Sequence, residues 1–331
     1  MKRCRKQYGK QNSKNMGWGR SAKHAAKHAL TCHVGGGKFG TVAAHSQRFN
    51  LSCDWMKAEF GITDLRKVTK ENVISYAMHL KVLVLAGRIT VATATNRISS
   101  CNVVFKILRA DTKLHIDKIG KLLGIKRSYI RQLVPDGMDL SHVELLQKQL
   151  VETGLERVAA VAGLASACGM RLRECILADL PRLQREAREI GKINIQEGTK
   201  GGRRGAHAQR WITATDQVRE AIEYAIRISP RSSRNLLASD EEYKDFLRGP
   251  IQKARRKLLG KSIKGFHELR AAYACRRYEQ LTGYPAPVVM KRVFLSEKEK
   301  IEDHDARNII SLELGHNRIE ITNSYLGSNS R

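Results

Sequence analysis

With 331 residues, 42% of them hydrophobic, the chain is long enough for two domains that each bury a core, and disorder is expected only at its ends. Its 60 Lys and Arg outweigh 32 Asp and Glu to give a net charge of +28, which points to nucleic acid as partner, without preference for DNA over RNA, over a merely soluble cationic surface or a ribosome-associated protein. The longest apolar stretches, KVLVLAG from Lys81 and VAAVAGLASACGM from Val158, are too short or too interrupted to span a bilayer, and no apolar run follows the basic start as in a secretory signal. A cytoplasmic location is therefore expected. Cys4, Cys32, Cys53, Cys101, Cys168, Cys175 and Cys275 form no CxxC pair, which fits reduced thiols.

Residues 1–50 are rich in Lys, Gly, Ser and Asn and close with the GGGKFG loop, Gly35 to Gly40. No acidic residue precedes Asp54, whereas Lys2, Arg3, Arg5, Lys6 and Lys10 begin a cationic run that continues to Arg48. The asymmetry predicts a basic N-terminal arm. His24, His28 and Cys32 recur at every fourth position and would share one helix face. The outer two would lie about 12 Å apart, too far to bind one metal ion, so an amphipathic arm helix is the expectation there.

From 51 to 134 the pattern is helical. Trp55, Met56 and Phe60 mark one helix; Thr69 offers an N-cap to a second that carries Val73, Tyr76, Ala77, Leu80 and Val84; a third runs from about Val91 to Leu108 with Ile98 and Val104 between. KRSYIRQLVPDG, Lys126 to Gly137, has the basic residues and the turn of an interdomain linker.

Residues 135–331 form the second expected domain. Ser141 caps a helix, and a longer apolar one follows with Val158, Val161, Ala165 and Cys168 on one face and Gly169 at its end. That glycine places Arg171 at a helix terminus, where it can turn toward a cleft or simply pair with Glu174; Arg173 competes for the same role. Ile193 and Ile195 alternate with polar residues, as do Trp211 and Thr213, so a small hairpin is expected with Lys200 in its loop beside Gly201 and Gly202. His267 and Arg270 fall one helical turn apart and face the same way. The last stretch, LELGHNRIEITNSYLG from Leu312 to Gly327, sets His316 nine residues before Tyr325. A tyrosine there could act as a nucleophile on a phosphate held by the cations. The fold expected is mainly α with a small β-sheet: a helical domain, then an α+β catalytic one.

CGMRLRE, the TKGG loop, HELR and LGHNRIEITNSYLG resemble, in that order, the boxes of the tyrosine recombinase (phage integrase) family, and the helical domain before them is similar to that family's SAM-like core-binding domain. HELR alone is a weak signal in so basic a chain; the ordered set is a strong one. The resemblance implies that Arg171 and Arg270 grip a scissile DNA phosphate, that Lys200 is the general acid, that His267 and His316 are the two histidines, and that Tyr325 is the nucleophile, with Glu174 in support. It further implies strand cleavage and rejoining through a 3′-phosphotyrosyl intermediate with no cofactor or metal, double-stranded DNA as partner, a homotetramer on paired sites, and accessory bending or directionality proteins. A type IB topoisomerase and a non-catalytic DNA-binding or architectural derivative are the alternatives. Two departures stand out. A charged segment with two prolines, residues 282–308, reads as a surface insertion, and only six residues follow Tyr325, so the tail that relatives exchange between subunits is minimal.

Overall fold

The computed structural model describes residues 7–34, 38–125, 127–199, 209–257, 260, 263–290 and 296–329. The chain divides into two compact units, Met1–Ser128 and Tyr129–Arg331. Both are built mainly of helices, and one two-stranded sheet lies in the second. Among the described residues no helix is long and apolar enough to cross a membrane.

The first unit contains α1 (Ala22–Val34), α2 (Phe39–Phe60), α3 (Lys70–Leu85), α4 (Val91–Arg109) and the short α5 (Ile119–Leu123). Its centre is α4, which buries Ala94, Ile98, Cys101, Val104, Phe105 and Leu108 at helical spacing and packs against the other four. Thr69 caps α3 in a reciprocal pair with Asn72, as its position suggested. The expected free arm is different. Ala25, Ala26, Ala29 and Leu30 of α1 are fully buried, and α2 starts well before residue 51 and runs unbroken to Gly61. Asn15 is buried too: its side chain accepts from Leu65 N at 2.9 Å while its own N–H donates to Asp64 at 2.9 Å. Lys23 and Lys27 lie on the exposed face of α1, whose small apolar residues supply core. His24 and His28 do share a face, with rings stacked 6.0 Å apart, and Tyr8 stacks on His28 at 4.6 Å. Cys32 is disulfide-bonded, unlike the reduced set expected. Cys53, Cys101, Cys168, Cys175 and Cys275 are free and buried.

In the second unit α6 (Leu140–Glu152), α7 (Glu156–Cys168), α8 (Leu172–Leu177) and α9 (Leu180–Glu189) lead into β1 (Lys192–Asn194) and β2 (Trp211–Thr213). The strands are antiparallel, with Ile193 opposite Ile212. Then come α10 (Asp216–Ile228), α11 (Tyr243–Phe246), α12 (Gln252–Lys257), α13 (Phe266–Thr282), α14 (Pro287–Met290), α15 (Glu297–Glu313) and α16 (Asn323–Leu326). The apolar helix α7 is buried almost all round, from Val158 to Cys168, because α6, α10 and α13 enclose it. Asp139 rather than Ser141 caps α6, accepting from Ser141 N at 2.9 Å.

Two expected surface segments prove to be structural. Arg131, in the expected linker, pairs with Glu268 and donates its backbone N–H to Asn323 O at 2.8 Å; Lys264 N donates to Asp136 at 2.8 Å. The expected insertion includes most of α15, which buries Ala306, Arg307 and Ile310 against its own unit. Its many charges occupy the opposite face, and they dominate a reading by composition.

Candidate active site

Two helix ends converge to make the site. Gly169 closes α7 in the left-handed conformation, φ 58°, and Leu314 closes α15. A helix leaves its last carbonyls without partners and its C-terminus partially negative, so each end attracts cations. The Gly169 carbonyl accepts from Arg270 Nη1 and, at 3.2 Å, from Arg210 Nη2. The Leu314 carbonyl accepts from Arg270 Nη2 at 2.6 Å and Arg171 Nη2 at 3.2 Å. Three guanidinium groups are thereby drawn together by backbone alone.

Glu174 is the counter-charge. Fully buried, it bonds Arg171 Nη1 at 2.7 Å through one oxygen, and with the other meets Arg210 Nη1 at 2.6 Å and Arg270 Nη1 at 3.8 Å. It also accepts from Arg171 N at 2.6 Å, which closes the first turn of α8 and fixes Arg171 at its N-cap. Burial alone would raise its pKa, yet Arg210, Arg171 and Arg270 together outweigh that and hold it at about 2. One carboxylate among three arginines leaves the cluster cationic, a setting for an anion.

α13 delivers Arg270 into this cluster at 1% exposure. Burial, then Arg210, lowers its pKa to about 10, so it stays charged at neutral pH. His267, one turn earlier, faces Tyr325 ring to ring at 5.5 Å. It remains exposed on one side; partial burial and Arg270 lower its pKa.

Gly315 turns the chain after α15 at φ 65° and brings in His316. His316 Nε2 lies 3.4 Å from Arg171 Nη2, 3.4 Å from Arg270 Nη2 and 3.0 Å from Tyr325 Oη. A guanidinium can only donate, so Nε2 carries the lone pair and the proton resides on Nδ1. Burial, reinforced by Arg270, Arg171 and Arg210, lowers the pKa of His316 to about 4. Tyr325 sits on α16 at 4% exposure, its hydroxyl between His316 and Arg270 Nε at 3.4 Å. A cleft of about 580 Å³, lined in part by Arg171, Arg210, Trp211, Leu312 and Asn317, opens beside this group.

Arg171, Glu174, Arg270, His316 and Tyr325 are thus in direct contact, and His267 adjoins them. Arg173 points away, with its guanidinium 5.6 Å from the Tyr243 ring. Lys200 lies outside the described residues. Arg210 was missed: it is 4% exposed, donates from Nε to Glu313 O at 2.6 Å and shares Glu174. The only sequence hint was an arginine at the start of the alternating Trp211 to Thr213 strand.

The family model for integrases matches residues 130–276. The fold resembles the integrase of transposon Tn1549 in complex with a circular intermediate DNA, at 13% identity over 94% of this chain and 96% of that one, with a TM-score of 0.55. It resembles the same integrase in complex with transposon right-end DNA at 15% identity over 93% and 95% of the two chains, TM-score 0.55. At such identity the likeness speaks for the fold. No curated protein matches the sequence. The integrase family model falls within the unit that carries the arginine, histidine and tyrosine cluster, and that unit is similar to the integrase family.

Proposed function

We propose that this chain is a site-specific DNA recombinase that cuts and rejoins strands through a covalent link to Tyr325, and that it integrates or excises a mobile element. The observation that carries this is the Tyr325 hydroxyl, 3.0 Å from an unprotonated histidine nitrogen and within reach of the Arg270 guanidinium. A family match and a fold shared with a DNA-bound integrase support DNA as substrate.

A scissile phosphate entering the cluster accepts hydrogen bonds from Arg171 and Arg270, whose forked donors match its non-bridging oxygens and offset the charge that grows there in the transition state. Glu174 and Arg210 act behind them by fixing where the forks point. The Tyr325 oxygen attacks phosphorus and gives its proton to His316, with His267 alongside to bind the phosphate or assist. As the bond from phosphorus to Tyr325 forms, the bond to the 5′-oxygen breaks, and that oxygen takes a proton, the role proposed for Lys200. Reversal with a new 5′-hydroxyl rejoins the strand without a nucleotide cofactor. Duplex DNA is held largely through phosphates by the cationic surface, and a homotetramer on paired sites, aided by bending or directionality proteins, completes the exchange.

A nicked suicide substrate tests this. Wild type should form a covalent protein–DNA adduct with or without chelator, and Tyr325→Phe should form none. Equal adduct from both would remove Tyr325 as nucleophile. Tight binding of the site without any adduct would favour a non-catalytic DNA-binding protein.

A further inference from the structure

We infer that Arg307 is a positioning residue for the nucleophile: a buried guanidinium on α15 that clasps both ends of the helical turn bearing Tyr325. The inference rests on the reading of Tyr325 given above. Arg307 Nη1 donates to Thr322 Oγ1 at 3.1 Å, just before the turn, and to Asn323 Oδ1 at 3.0 Å, on its first residue. Its Nη2 donates to the Gly327 carbonyl at 3.2 Å, just after it. One planar, rigid group therefore fixes where α16 begins and ends, and the four residues between have little freedom to shift.

The clasp is itself held. Arg307 is 6% exposed, and its Nε donates to both oxygens of Asp303, one helical turn earlier, at 3.0 and 2.9 Å. Asp303 Oδ1 also accepts from Tyr278 Oη on α13 at 2.6 Å and from Asn329 Nδ2 at 3.0 Å. The same turn is tied from other sides by Arg131 N to Asn323 O at 2.8 Å and by Cys275 Sγ to Tyr325 O at 3.6 Å. Neither of those spans it. Among the described residues, it is the Arg307 side chain that reaches both sides of Tyr325. A group so buried, so fully hydrogen-bonded and so far in its partners from solvent is not a surface charge. It gives the segment that reads as an insertion a positioning part in the reaction, because the clasp decides how close the Tyr325 oxygen stands to phosphorus.

Single-turnover cleavage of a nicked DNA site at saturating protein tests the inference, read as rate and as amplitude separately. Arg307→Met should slow adduct formation about a hundredfold, the scale of an ångström-sized misplacement of a reacting group. DNA affinity, the cooperative unfolding transition and the final amplitude should be retained, and Arg307→Lys should recover part of the rate. A 5′-bridging sulfur, which needs no proton to depart, should leave the defect in place, since the fault lies with the attacking oxygen. Should Arg307→Met fail to fold, Thr322→Val with Asn323→Ala keeps the Arg307 to Asp303 pair and removes the clasp's two side-chain contacts; roughly a tenfold slower rate is expected. Wild-type rate in the variant that folds would overturn the inference, as would full rescue by sulfur or a loss confined to amplitude. A wild type that forms no adduct would instead overturn the assignment of Tyr325, so the two failures read differently.

Discussion

His316 is a histidine whose surroundings keep it neutral, and that neutrality has a cost measurable outside catalysis. Burial and the charges of Arg270, Arg171 and Arg210 hold its pKa at about 4 in the folded chain, against 6.5 for a free histidine. Between those values the unfolded chain binds a proton there that the folded one does not, so stability rises with pH across the window and falls as pH is lowered through it. Urea unfolding at pH 7, 6, 5 and 4.5 should show wild type losing more stability on acidification than His316→Gln does, by up to about one proton's worth of linkage. Parallel curves would mean that His316 titrates normally and cannot be the standing acceptor for the Tyr325 proton. Glu174, whose folded pKa is also lowered, to about 2 from 4.5, shifts stability in the same direction, but its window lies below the pH range of these measurements.

At the scale of elements, the site is a meeting of helix ends, and its tightest point is Gly169. A Cβ on this residue would fall 2.4 Å from Tyr273 Cδ1, and its φ of 58° is one that residues with a side chain adopt at a cost. The Gly169 carbonyl also receives Arg270 and Arg210. Gly169→Ala should therefore destabilise the protein by about 2–4 kcal/mol, from backbone strain and overpacking combined. Chemical denaturation checks the size, and a cost under about 0.5 kcal/mol would show that Tyr273 yields freely. The sequence made this junction legible, because a glycine after an apolar helix and an arginine two residues on are local signals. It made His316 and Tyr325 legible for the same reason, since one short segment carries both. Arg210 could not be read, because its importance arises only when β2 places it behind Glu174. The N-terminal segment was misjudged on charge. Alanines at positions 25, 26 and 29 weigh little in a composition, yet with Leu30 they form the whole buried stripe of α1. The helical part of the 282–308 segment was misjudged the same way, with exposed charges on one face masking the buried Arg307 clasp on the other.

For the whole molecule the question is whose tyrosine serves which arginines. Among the described residues, His316 and Arg270 hold the Tyr325 hydroxyl, Arg307 holds both ends of its turn, and Arg131 and Cys275 bond its backbone segment. These anchors belong to four separate segments of the second unit, so lending the tyrosine to another subunit would break all of them at once. Within an assembly on paired sites, each subunit should therefore cleave with its own nucleophile. Mixing Tyr325→Phe protein with Arg171→Ala protein distinguishes the cases, Arg171 being chosen because it lies at the open edge of the cluster and is the arginine least bound to the core. If the tyrosine stays at home, one partner lacks a nucleophile and the other lacks half the phosphate grip, and the mixture forms no more adduct than the two proteins do apart. If subunits exchange the tyrosine, the intact cluster of the first receives the nucleophile of the second and adduct appears in the mixture alone. Because exchange would have to break the Arg307, Arg270, His316 and Cys275 contacts together, the first outcome is the expected one, and it would assign the links between subunits to surfaces other than the α16 turn.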